Sequence, residues 1–229
     1  MAVARVSLVV LLLILVCFAA SDAFAPTSSA TSLNSYLDTL GQPDESDKQD
    51  EAFRPKVQLG DKLPIVTLHW GFNPPTFVSL PVYCGSRNIV IVGVRGAFMD
   101  ESNGIIRTYK QKSNELKSMG VDEVIVTTVN DGGVTGVWNQ KMKPAGSILT
   151  FFADPHAELV DALGTRDFDG ALEKQGILGR SKPFVMYVEG CIVKHFEVAS
   201  GGDGTNTDAD SAISIIEQVK ARQGQLLIH

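Results

Sequence analysis

NIVIVGVRGAFMDESN, residues Asn88 to Asn103, is a strand running into a turn and then into a helix. The β-branched run Ile89-Val90-Ile91-Val92 predicts a buried strand. Gly93 and Gly96 let the backbone turn. Asp100, Glu101 and Ser102 follow, residue types that open a helix by accepting its unpaired N–H groups and complementing its dipole. Beyond them Ile105, Ile106, Tyr109, Leu116 and Met119 recur at helical spacing, so a helix is expected from about Asn103 to Met119 with Ser102 as its N-cap. Residues 100–102 then sit at the positive end of that helix, beyond the carboxyl end of a core strand. In α/β sheets ligands and catalysis gather at such places.

The rest of the chain repeats the alternation. Gly120 stops the helix, and Val121 to Asp131 reads as a second buried strand. A helix to about Lys141 follows, then a strand over Ser147 to Ala153 and a short helix opened by Asp154-Pro155. Residues 164–179 are mixed, with a helical patch near Ala171 to Gln175. Phe184–Val188 and Ile192–Val198 form a hairpin around Glu189-Gly190. After a glycine-rich loop, Gly201 to Asp208, Asp210 caps an amphipathic helix carrying Ile213, Ile216 and Val219 and ending near Arg222. Upstream, Ile65–Trp70 and Thr76–Leu80 read as short strands around a loop with Pro74-Pro75. This order is that of a thioredoxin-like α/β fold: one domain over residues 56–222, a central mixed sheet flanked by helices, and a tail at 223–229.

The amino terminus has a different character. Arg5 precedes the apolar run Val6 to Ala20, and small residues follow at Ala20, Ser21 and Ala23. This predicts a secretory signal peptide over residues 1–23; the run is shorter than the ~20 apolar residues a membrane span needs. Ala23-Phe24-Ala25-Pro26 resembles the signal-cleavage junction of algae whose plastids lie inside the secretory system. The acid-free Ser/Thr tract after it reads as a transit peptide, so plastid import is the first expectation and the secretory lumen or secretion the second. Residues 24–55 as a whole read as that segment plus an acidic linker. A net charge of −6 argues against nucleic acid as a partner, and no membrane contact is expected after signal cleavage.

GVRGAFMDESN also carries a family resemblance. It resembles the active-site segment of type II (peroxiredoxin 5-like) peroxiredoxins, which reads Gly-Val-Pro-Gly-Ala-Phe-Thr-Pro-x-Cys-Ser. Val129-Asn130-Asp131 with Val134 and Trp138 is similar to the family's Val-Asn-Asp-x-x-Val-x-x-x-Trp. Arg180, separated from Phe184 by three residues, matches the family's arginine. The resemblance implies a redoxin domain and thiol-dependent hydroperoxide reduction, with thioredoxin, glutaredoxin or glutathione as reductant. It also implies dimers of the chain with itself or with peroxiredoxins. Laid over the motif, Arg95 falls at the family's first Pro, Met99 at its Thr, Asp100 at its second Pro and Ser102 at its peroxidatic Cys. Gly96, Phe98, Asp100 and Glu101 line the pocket this implies, and Arg180 is the activating arginine.

That chemistry needs a thiolate, because only the thiolate attacks an O–O bond. A serine hydroxyl does not ionise near neutral pH and has no comparable oxidation ladder. Met99 brings no donor, and Asp100 and Glu101 put negative charge where a thiolate would form. Either carboxylate is expected to pair with Arg180. The family's resolving positions fall near Val126 and Ala209, neither a cysteine. Of the cysteines, Cys17 leaves with the signal; Cys84 and Cys191 remain, and a non-standard peroxidase using one of them is the alternative. Cys84 lies before the central strand, at the end opposite Ser102. Trp70 and Trp138 read as packing residues. The histidines have no metal-ligand spacing, and neither a cofactor nor a metal is expected.

Overall fold

The computed structural model describes residues 56–142, 145–167, 174, 179–199 and 206–226. The expected targeting segment, most of the glycine-rich loop and, but for Lys174, the expected helical patch near 171–175 lie outside the described residues. In chain order the elements are β1 (Thr67–Trp70), β2 (Thr76–Ser79), α1 (Leu80–Cys84), β3 (Asn88–Val94), α2 (Asp100–Gln111) and α3 (Ser113–Ser118). Then come β4 (Glu123–Thr128), α4 (Gly132–Met142), β5 (Leu149–Ala153), α5 (Glu158–Leu163), β6 (Phe184–Glu189), β7 (Ile192–Val198) and α6 (Ala209–Leu226). The strands form one mixed sheet in the order β2-β1-β5-β4-β3-β6-β7. β3, β4 and β5 are parallel, and β6 runs antiparallel to β3.

The β-branched runs are central because both their faces are covered. Val90, Val92, Val94, Val124 and Val126 face one core with Ile105, Ile106 and Tyr109 of α2, Trp138 of α4 and Ile216 of α6. Ile89, Ile91 and Ile125 face the other with Leu80 and Cys84 of α1, Leu159 and Leu163 of α5, and Phe184, Met186 and Val188 of β6. Alternate residues of one strand thus enter opposite cores, as the two-residue period of a strand requires.

Several expectations change in detail. The helix after β3 starts at Asp100, so its N-cap is Met99, in extended conformation and without a side-chain cap bond; Ser102 is a helical residue. The helix also breaks at Lys112. Ser113 Oγ donates back to the Tyr109 carbonyl at 2.8 Å, a bond that competes with the helix and bends it. The hairpin turn is Gly190-Cys191, with φ of 54° and 64°, because a two-residue turn that follows the strand twist needs both residues left-handed. The last helix runs on to Leu226. Trp138 is fully buried, but Trp70 is 53% exposed and is not a core residue.

Candidate active site at the end of the central strand

The chain leaves β3 at Val94 and turns through Arg95 to Met99 before α2 begins. Phe98 is the left-handed residue of this turn, with φ of 66°. The Asn103 side chain donates from Nδ2 to the Phe98 carbonyl at 3.3 Å, and its Oδ1 accepts from the buried Trp138 Nε1 at 2.8 Å. One asparagine therefore ties the turn to α2 and α4. Ala97 N–H donates to Asn130 Oδ1 at 3.0 Å, an oxygen that also accepts from the Thr128 hydroxyl at 2.9 Å. The loop after β4 thus holds the loop after β3, and Asp131 opens α4 by accepting the Val134 N–H at 2.8 Å.

Gly96, Met99 and Arg180 meet. A Cβ on Gly96 would stand 3.1 Å from Met99 Sδ and 3.9 Å from the Arg180 guanidinium carbon. Arg180 Nη1 donates to the Val129 carbonyl. Burial lowers the Arg180 pKa below its ordinary value. The guanidinium thus holds a backbone carbonyl, and Asp100 is exposed. Acidic residues in the first turn still complement the α2 dipole.

The ion pair at this end of the sheet is one the sequence did not suggest: Arg95 Nη2 to Asp167 Oδ2, 3.2 Å, both side chains largely buried. Asp167 belongs to a short segment paired with the one that carries Arg180. Its N–H donates to the Arg180 carbonyl at 2.7 Å, and Lys182 N–H donates to the Thr165 carbonyl at 2.8 Å. Arg95 and Asp167 are distant in sequence, and no local pattern links them. Asn103 did leave a signal, a polar residue one turn before Ile106 and next to the face that Ile105, Ile106 and Tyr109 make apolar.

Ser102 lies in the first turn of α2 with no exposed surface. Among the described residues its hydroxyl has no hydrogen-bond partner. Phe98 is 38% exposed, with the Lys141 ammonium 5.3 Å from its ring centroid. Cys84 and Cys191 are not part of this site. Both lie at the other end of β3, and a strand of this length spans roughly 20 Å. Among the described residues no three His, Cys, Asp or Glu side chains gather as a metal site, and no helix is long and apolar enough to cross a membrane.

The family profile that matches is Redoxin, over residues 58–213. The chain is 32% identical over 162 residues to Peroxisomal membrane associated protein 20 of Schizosaccharomyces pombe, covering 69% of this chain and 98% of that protein. It is 29% identical over 163 residues to Peroxiredoxin-2B of Arabidopsis thaliana, covering 70% and 98%. To the chloroplastic Peroxiredoxin-2E-2 of Oryza sativa it is 27% identical over 165 residues, covering 70% and 72%. Among solved structures, reduced Prx3 of Vibrio vulnificus in complex with H2O2 has a TM-score of 0.63 at 22% identity, covering 70% of this chain and 96% of that one. Peroxiredoxin 5 of Alvinella pompejana has a TM-score of 0.62 at 21% identity, covering 71% and 99%. At those identities the two structures speak to the fold, which is thioredoxin-like. The profile and the sequence relatives carry the family: the match runs from before β1 into α6, and the chain belongs to the redoxin family.

Proposed function

We propose that this redoxin keeps the peroxiredoxin scaffold, has lost the thiol that reduces hydroperoxides, and acts by binding. The observation that carries the reading is Ser102: a hydroxyl in the first turn of α2, fully buried, without a hydrogen-bond partner among the described residues. By its resemblance to the family's motif it falls at the place of the peroxidatic cysteine. A hydroxyl there neither ionises at neutral pH nor forms a sulfenic acid. Met99, at the family's threonine, supplies no donor to a bound peroxide. Arg180, at the place of the family's activating arginine by resemblance, keeps its guanidinium close to Gly96, where a Cβ would stand 3.9 Å from it.

The binding partner we favour is a second copy of the chain, or a peroxiredoxin of the same fold. Trp70, Phe72 and Val137 are more than half exposed, and Phe98 is 38% exposed. The Phe72 ring lies against Gly133 of α4, Val137 is on α4, and Lys141 of α4 reaches over Phe98. Exposed apolar side chains gathered around one helix mark an interaction surface. Thioredoxin or glutaredoxin is the further partner the family implies. Plastid residence is supported by the leader sequence and by the chloroplastic relatives.

The test is peroxide reduction by the full chain, with thioredoxin and glutathione systems, beside the Met99→Thr/Asp100→Pro/Ser102→Cys variant. The wild type is expected to be inert and the variant to turn over. Turnover by the wild type at a comparable rate would sink the reading. The second reading, a peroxidase using a non-standard thiol, is favoured by one observation: Cys191 is partly exposed. Loss of wild-type turnover in Cys84→Ser or Cys191→Ser would establish it.

A further inference from the structure

At the end of the sheet away from Ser102, three turns meet. The Gly190-Cys191 turn donates from Gly190 N–H to the Arg87 carbonyl at 3.2 Å, joining it to the turn between α1 and β3. The Cys191 carbonyl accepts from Leu63 N–H at 2.9 Å. Cys191 is one of the few residues other than glycine in the left-handed region, at φ of 64°. A side chain pays for that conformation, so what it reaches bears on why it is there. The Cys191 thiol lies against the last turn of α1, 3.0 Å from the Gly85 carbonyl oxygen and 3.2 Å from that of Pro81, donating to one or the other. The residue bonded to Gly85, and on that same turn, is Cys84. Cys84 is fully buried, Cys191 is partly exposed, and both pack in the core beneath α1.

We propose that Cys84 and Cys191 form a reversible disulfide that ties the end of α1 to the β6–β7 hairpin. The two sulfurs have separate parts in it. Burial, and next the nearby Cys191 sulfur, push the Cys84 thiol up to about 12, so Cys84 does not meet the oxidant first. Cys191 is the accessible sulfur. With a hydroperoxide as oxidant, the Cys191 sulfur attacks the O–O bond, becomes a sulfenic acid and releases the alcohol or water. The Cys84 sulfur then attacks the Cys191 sulfur. The S–O bond breaks, the hydroxyl leaves as water with the Cys84 proton, and the S–S bond forms. A dithiol reverses it. It is independent of what Ser102 does.

The experiment uses the full chain with Cys17→Ser, leaving two thiols, treated with hydrogen peroxide and digested without reduction. The expected result is a protein lighter by two hydrogens, with no thiol left to alkylate, a peptide pair joined through Cys84 and Cys191, and full recovery with a dithiol. In Cys84→Ala, with Cys84→Ser as a second variant should the buried alanine unfold it, oxidation should stop at a dimedone-reactive Cys191. In Cys191→Ser, Cys84 should stay reduced. Oxygen added to either sulfur without a joined peptide pair, or disulfides only between chains, would overturn the proposal. An inert peroxidase assay leaves it standing, since the linked peptide is read without turnover.

Discussion

Arg95 Nη2 and Asp167 Oδ2 lie 3.2 Å apart, with 15% and 8% of their side chains exposed. The pair connects the end of β3 to the segment that runs beside the one carrying Arg180, since Asp167 N–H donates to the Arg180 carbonyl. Removing one member of a buried pair strands a charge, whereas removing both can be nearly neutral. Arg95→Met is therefore expected to destabilise the fold by about 3–5 kcal/mol in urea unfolding at neutral pH, and Arg95→Met/Asp167→Leu to recover most of that. A single variant within ~1 kcal/mol of wild type would mean the carboxylate finds water or another cation.

Gly93 and Phe184 are directly paired across β3 and β6. A Cβ on Gly93 would stand 1.9 Å from Phe184 Cε1, inside a ring that is itself fully buried. The ring also packs edge-to-face against Phe196, with centroids 5.8 Å apart, so moving it disturbs that contact. Gly93→Ala is expected to cost about 1–3 kcal/mol from overpacking, and Phe184→Leu added to it should return part of that. A neutral Gly93→Ala would show that the sheet opens there without penalty.

These two sites mark what was legible in the sequence. The strand at 89–92 follows from its β-branched run, and the helix after it from the spacing of Ile105, Ile106 and Tyr109, because burial imposes those periods locally. The fold and the order of its strands were readable in that way or through the family pattern. The start of α2 was not. The polar triplet 100–102 looked like a cap, but the φ and ψ of Met99 set the boundary and the acids lie inside the first turn. Nor were Arg95–Asp167 or the Arg180–Val129 contact, since each joins residues brought together only by the packed sheet. Cys191 follows directly on the expected turn Glu189-Gly190, yet that it occupies the turn and faces α1 depends on the left-handed pair of residues there.

Asn103 offers a test of how the site turn is held. Its Oδ1 is the partner of Trp138 Nε1, and the indole is fully buried. Asn103→Leu leaves that N–H unsatisfied, at a cost of about 1–3 kcal/mol, and frees the Phe98 carbonyl. Asn103→Leu/Trp138→Phe removes donor and acceptor together and should be less destabilising than the sum of its single variants. Denaturant unfolding of the four proteins gives the coupling energy, and strict additivity would show that the bond contributes nothing.

Asp154 sets a pH dependence. Burial, opposed by bonds from backbone N–H groups, raises its carboxyl from 3.8 to about 6. Oδ2 accepts from Leu159 and Val160 N–H at 3.1 and 3.2 Å, where α5 begins. Because the folded-state pKa lies above the unfolded one, the native state binds the proton more tightly. The stability this contributes is fully present below about pH 4 and is lost as pH rises through about 6. Asp154→Asn keeps an oxygen acceptor and removes the titration. The variant's stability relative to wild type should therefore rise by up to about 3 kcal/mol between pH 4 and 6.5, then stay level, in urea unfolding at matched ionic strength. A relative stability that falls over that range would mean the backbone N–H bonds outweigh burial and hold the carboxylate charged.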